Sequence, residues 1–78
     1  MMNEKFYTNL KTRLEKEYPI GIPRPEIDKA TGNVINKRTI ANLDREGKGI
    51  PGRFKLKKQV IYPVEGVIQF LQDNIVKL

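Results

Sequence analysis

Residues 31–51 read TGNVINKRTIANLDREGKGIP, and the fold turns on how this stretch is organised. Asn36 is a good helix N-cap, because its side-chain oxygen takes a backbone N–H that the first helical turn leaves unpaired. The pattern predicts a helix over about residues 37–46, ended by Gly47. Ile40 and Leu43 form its inward stripe. At about 100° per residue, Arg38, Ala41, Asn42 and Arg45 fall on the opposite side. Lys37 lies on the flank of the first turn, where a cation opposes the helix dipole unless an anion sits nearby.

Just upstream, Pro25 suits the first position of another short helix, where its missing N–H costs nothing. Glu26 and Asp28 suit the positive end of that helix's dipole. Ile27 and Ala30 give it a short apolar face, and Gly32 ends it at about Thr31. Two short helices separated by GNVIN, residues 32–36, fit a helix-turn-helix. Val34 and Ile35 are expected to plug the turn against the core.

Further upstream, residues 3–18 predict a helix in which Phe6, Leu10 and Leu14 recur every four residues, with Tyr7 and Tyr18 near the same face. The stretch YPIGIPRP, residues 18–25, then stops it, since it packs three prolines and a glycine into eight residues. The first helix therefore reads as an appendage joined by a stiff linker.

Downstream, RFKLKKQVIY, residues 53–62, alternates. Phe54 and Leu56 face one side; Arg53, Lys55 and Lys57 face the other. Val60 and Tyr62 read as the matching apolar side after the turn. This predicts a β-hairpin over about 53–56 and 59–62, one face docked on the helices and the other presenting cations. The chain then closes as a helix with Pro63 near its first position. Val64, Val67, Ile68, Leu71 and Ile75 form its stripe, Phe70 lies at the edge, and Gly66 weakens the first turn.

Composition narrows the function. Seventy-eight residues make one domain. A chain this short buries roughly 60–65% of its unfolded surface, so its core is thin and a substrate-sized cavity is not expected. There is no cysteine, which excludes disulfides and thiolate metal sites. Histidine and serine are also missing, which removes the usual general base and two of the three usual nucleophiles. The expectation is a protein that is not an enzyme and needs no cofactor. No apolar run approaches the roughly 18 residues of a membrane span, and the N-terminal residues lack a signal-peptide core. No membrane partner is expected, and the cytoplasm is the default compartment.

The net charge is +6. Residues 1–18 hold four basic and three acidic side chains, and residues 19–47 hold five and four. Residues 48–62 hold five basic side chains and no acid, and residues 63–78 hold one and two. The excess lies almost entirely in one block, which attracts a polyanion by focusing the local field.

Helix, turn, helix, basic hairpin, helix is the order of a winged helix-turn-helix. The sequence resembles the MerR-like excisionase and AlpA-type phage regulator domains over about residues 22–75. The resemblance is carried by Thr31-Gly32, Lys37-Arg38-Thr39-Ile40, Glu46-Gly47, Pro51, Arg53 to Gln59, Tyr62-Pro63 and Phe70-Leu71. It implies a mainly α fold with a small β-hairpin, a winged helix-turn-helix over 22–76, to which the residue periodicity adds an extra N-terminal helix over 1–18. Two features depart from the family. Lys57-Lys58 stand where the wing turn carries glycine, so either a lysine sits at positive φ or the turn is longer. The first helix has no counterpart in the family's core.

The resemblance implies sequence-specific double-stranded DNA binding by a phage- or mobile-element-type excisionase or transcriptional regulator. The second helix of the motif then lies in the major groove. Its DNA-binding face is Lys37, Arg38, Thr39, Asn42 and Arg45. Arginine pairs bidentately with guanine and asparagine with adenine, so Arg38, Asn42 and Arg45 have the chemistry of base readout; Lys37 and Thr39 suit phosphates. The wing cations, Arg53, Lys55, Lys57 and Lys58, lie on the backbone or in the minor groove, with Lys48 at the joint. The alternative is a protein-interaction module, or the DNA-recognition subunit of a packaging or maintenance complex. Phe6, Leu10 and Leu14 are the expected surface for self-association or a protein partner.

Overall fold

The structure, a computed structural model, describes residues 4–74. The elements are α1 (Glu4–Glu17), β1 (Ile22–Pro23), a 3₁₀ turn (Arg24–Glu26), α2 (Ile27–Ala30), α3 (Lys37–Arg45), β2 (Phe54–Leu56), β3 (Gln59–Tyr62) and α4 (Val64–Asp73). The described chain is mainly helical, with one three-stranded antiparallel sheet in the order β1-β3-β2. None of its helices is long and apolar enough to cross a membrane.

The first helix is not an appendage. Tyr7 and Leu14 enter the same core cluster as Ile22, Ile27, Ile40, Tyr62 and Val67, and α1 packs against α4. Leu14, expected on a partner-docking surface, is only 1% exposed and is taken up by the core instead. Leu10 and Tyr18 are half-buried against the core. Phe6 lies at the margin, its ring edge-on to Tyr7 at 5.2 Å between centroids. The reason is size: a core this thin needs the apolar face of every helix.

The segment read as a linker contains a strand. Ile22 pairs with Tyr62 and Pro23 with Ile61. Pro23 is tolerated because β1 is an edge strand, where a missing N–H breaks no ladder. Ile22 is fully buried, so this short pairing also anchors the chain between α1 and the helical pair.

The helical pair forms with shorter parts than the sequence predicts. The 3₁₀ turn carries Pro25 and runs into α2, a single turn ending at Ala30. The buried Thr31 hydroxyl donates to the Ile27 carbonyl at 2.7 Å and accepts from the Ile35 N–H at 3.1 Å, so one side chain closes α2 and holds the turn. Ile35 is buried as expected, but Val34 is 71% exposed and plugs nothing. Helix α3 ends in a Schellman arrangement: the Gly47 N–H donates to the Asp44 carbonyl at 3.1 Å and the Lys48 N–H to the Leu43 carbonyl at 2.9 Å.

The hairpin has the expected strands and a different face. A two-residue turn sets Leu56 opposite Gln59, Lys55 opposite Val60 and Phe54 opposite Ile61. Directly opposed residues share a face. Val60 and the fully buried Tyr62 therefore lie on the face of Lys55, not that of Phe54 and Leu56. Phe54 is 41% exposed and Leu56 52% exposed, so β2 does not dock an apolar side on the helices. The turn is the tight one, with Lys57 at φ 57°, the left-handed region that a glycine takes at no steric cost.

In α4, Val64, Val67 and Ile68 are buried, and Phe70 and Leu71 pack beside them. Ile75, expected in the same stripe, lies outside the described residues. Gly66 is a packing requirement: a Cβ there would run into the Pro51 carbonyl oxygen and lie 3.1 Å from Ile50 Cγ2.

Candidate nucleic-acid interface

Helix α3 is closed at its start by two side chains, one from its own N-cap and one from α2. Asn36 Oδ1 accepts the Arg38 N–H at 2.9 Å and the Thr39 N–H at 3.2 Å. Asp28 Oδ1 accepts the Lys37 N–H at 2.7 Å. The anion that a first-turn cation calls for is thus supplied from within the chain. Asp28 serves the start of α3 as well as the first turn of α2. These amides are already bonded, so the attraction of this surface for an anion rests on its side chains.

Those side chains divide by face. Ile40 is buried and Leu43 half-buried. Lys37, Arg38, Thr39, Asn42 and Arg45 are all exposed, and Ala41 is half-buried between them. Arg45 Nη2 donates to Asn42 Oδ1 at 3.3 Å, which restrains the pair on the outer face.

The inner side of α3 carries an acid. Asp44 stands four residues after Ile40, one turn along the buried stripe, and its side chain is 6% exposed. Oδ2 accepts the Tyr62 hydroxyl at 2.6 Å and Arg24 Nη2 at 2.8 Å. Oδ1 accepts the Ile50 N–H at 3.2 Å and lies 3.6 Å from Arg53 Nε. Arg24 Nε donates in turn to the Tyr62 hydroxyl at 2.8 Å, and its guanidinium carbon sits 5.9 Å from the centre of that ring. Among the described residues no buried side-chain polar atom is left without a partner. A buried charge is tolerated only under that condition. Gly49 makes the approach possible: a Cβ there would overlap Asp44 Oδ1 and lie 2.8 Å from Asp44 Cα.

This network joins the 3₁₀ turn, α3, the 46–53 loop and β3 at one carboxylate. It shifts the groups it holds. Burial, and then the hydrogen bond to Asp44, push the Tyr62 hydroxyl up to about 12, against a partial downward pull from Arg24. The Arg24 guanidinium is raised by its bond to Tyr62, against the cost of burial, with Asp44 adding to the rise.

Arg53, expected among the free wing cations, belongs largely to the same network. Its Nη2 donates to the Asp44 carbonyl at 3.0 Å and its Nη1 to the Ile50 carbonyl at 3.2 Å. It braces the base of the hairpin against the end of α3. Lys48, Lys55, Lys57 and Lys58 are exposed, and within the described residues none of them forms an ion pair. The expected residues thus fall into three groups: an outer face of α3, four solvated lysines, and one arginine turned inward.

The residue pattern along the chain does not single out Asp44, Arg24 or the Tyr62 hydroxyl. It carries one signal. An aspartate four residues after a core isoleucine, within an amphipathic helix, has to find a buried partner. Which cation supplies it depends on contacts 20 residues away in sequence.

Comparison with protein-family models, with curated proteins and with solved structures finds no match to this chain.

Proposed function

We propose that the protein is a winged helix-turn-helix that binds double-stranded DNA, with α2 and α3 as the helical pair and β2–β3 as the wing. The observation that carries the reading is the joint between two cationic surfaces. The outer face of α3 bears Arg38, Asn42 and Arg45, and the Asp44–Arg53 contacts hold it in fixed relation to a hairpin bearing Lys55, Lys57 and Lys58. A rigid helix with arginine and asparagine on its outer face suits base edges in the major groove. Lysines on a neighbouring hairpin suit phosphates. Residues 48–62 contain no acid to oppose them.

A domain of this size reads few base pairs, so useful specificity calls for tandem sites, a dimer or a larger assembly. A phage- or mobile-element-type excisionase and a small transcriptional regulator both fit that constraint. The test is fluorescence anisotropy on duplexes from around the protein's own coding region, against random duplex competitor, at several salt concentrations. Roughly four to seven phosphate contacts are expected, each contributing a slope of about −0.9 to the fall of log affinity with log salt. A slope near zero across the range, or no preference among duplexes, rejects the reading.

A further inference from the structure

The outward face of β2 is apolar. Phe54 and Leu56 alternate with Lys55 along an edge strand and lead directly to Lys57 and Lys58 at the turn. They lie on the sheet face opposite the one that buries Tyr62. Ile61, opposite Phe54 on that same outward face, is buried yet stands apart from the main core cluster. A hairpin that served only as a solvated cationic arm would gain nothing from two large apolar side chains side by side on its exposed face.

The charges around the pair select its occupant. A second copy pairing along the β2 edge would set Lys55 against Lys55, and would bring Lys57 and Lys58 toward the other copy's cations. Like charges directly opposed destabilise a strand pair, and lysine on an edge strand works against such pairing. The partner therefore has to be anionic while offering apolar surface between its charges. The minor groove of duplex DNA has that chemistry: sugar and base edges lie between two rows of phosphates, and phenylalanine and leucine are among the side chains that proteins insert there. At about 6 Å the groove is too narrow for a helix, which leaves the major groove to α3.

We propose that Phe54 and Leu56 form the apolar half of a minor-groove contact, with Lys57 and Lys58, at the turn that follows them, on the flanking phosphates. This rests on the DNA reading above and adds to it a contact whose strength does not depend on salt.

The experiment uses the full chain and the same labelled duplex across several salt concentrations. Four proteins are compared: wild type, Phe54→Thr with Leu56→Thr, Leu56→Thr alone, and Lys57→Ala. Threonine keeps strand propensity, and thermal melts check folding. The threonine pair is expected to bind roughly tenfold more weakly at every salt concentration, with the slope unchanged. Lys57→Ala is expected to reduce the slope by about one. Netropsin, which fills A·T minor grooves, is expected to bring wild type down to the level of the threonine pair and to change that variant little. Leu56→Thr alone, at the more exposed position, decides the matter if the pair does not fold.

Binding by the threonine variants equal to wild type, with the salt slope intact, overturns this contact and leaves the DNA reading standing. No duplex binding by any of the proteins overturns both. In that event, binding to phosphatidylserine vesicles that the threonine pair loses would assign the face to anionic lipid. Wild-type dimers that dissociate in the threonine pair, with duplex affinity unaltered, would assign it to a second copy and likewise overturn the proposal.

Discussion

Helix α3 presents its cations on a scaffold closed at both ends, whereas the β2–β3 hairpin presents its own on a strand that leaves two apolar side chains outside. The start of α3 is capped by Asn36 and Asp28, its end by the Gly47 and Lys48 amides, and its inner side by Ile40 and Asp44. The hairpin has a lysine at positive φ in its turn and is braced at its base by Arg53. Two surfaces of the same charge are thus held in different ways. The helix is capped mostly by residues close to it in sequence, while the hairpin is seated by the pairing of β3 with β1 and by the bonds of Tyr62 and Arg53 to Asp44. The joint at Asp44 ties the two surfaces to each other, beside the strand pairing that seats the hairpin.

The largest effect is expected at that joint. Asp44→Ala leaves Arg24, Arg53 and the Tyr62 hydroxyl without their shared acceptor, and removing one partner of a buried ion pair typically costs about 3–5 kcal/mol. Urea unfolding at neutral pH measures it. A loss under about 1 kcal/mol would mean that α3 and the hairpin are held together by something other than this carboxylate.

Gly66→Ala comes next. In an open helix alanine gains about 1 kcal/mol over glycine. Here the added methyl meets the Pro51 carbonyl in the loop between α3 and the hairpin, and overpacking of this kind costs about 1–3 kcal/mol. A net destabilisation is expected. A more stable variant would show that the loop yields freely and that the hairpin is less firmly seated than its contacts imply.

The joint also predicts a pH dependence. The Tyr62 hydroxyl ordinarily titrates near 10.0 and is pushed up to about 12 in the fold. A pKa raised by folding means that the native state holds its proton more tightly. The stabilisation is therefore complete below about pH 10 and is lost as pH climbs toward about 12. Melting wild type beside Tyr62→Phe across that window isolates it: the stability difference between them should shrink as pH rises. A difference that stays constant would remove Tyr62 from the network.

The smallest effect is expected at the hairpin turn. Lys57 occupies a backbone region that costs an L-residue roughly 1–2 kcal/mol, and glycine offsets part of that gain through its greater freedom in the unfolded chain. Lys57→Gly should therefore stabilise by about 0.5 kcal/mol. It should also weaken duplex binding, because the cation is gone. Stability and affinity moving in opposite directions would separate the hairpin's structural role from its proposed contact.

Much of α3 and of the hairpin's extent is legible in the residues themselves. Asn36 marks the cap, Ile40 and Leu43 mark the inner side, and Gly47 marks the end, because hydrogen bonds and side-chain spacing in a helix are local. The two hairpin strands are legible from alternation for the same reason. The outer face of α3 follows directly, so helical spacing alone suffices to place Arg38, Asn42 and Arg45.

Other features lie beyond local rules. A one-residue change of register reverses every side chain of a strand, so alternation cannot say whether Phe54 and Leu56 face in or out. Strand β1 exists because β3 accepts it, and nothing in YPIGIPRP announces that Ile22 will meet Tyr62. Leu14 could belong to a free helix or to the core, and it goes to the core because α4 presents an apolar face that needs covering. Asp44 follows the same logic, since a buried charge is settled by whichever cations the fold brings to it. Local chemistry along the chain is enough to specify the main helices, the two hairpin strands and the block of positive charge. Which side chains those elements hide, which they pair and which they leave facing outward is fixed at the tertiary level, because pairing and burial depend on residues that meet only after the chain has folded.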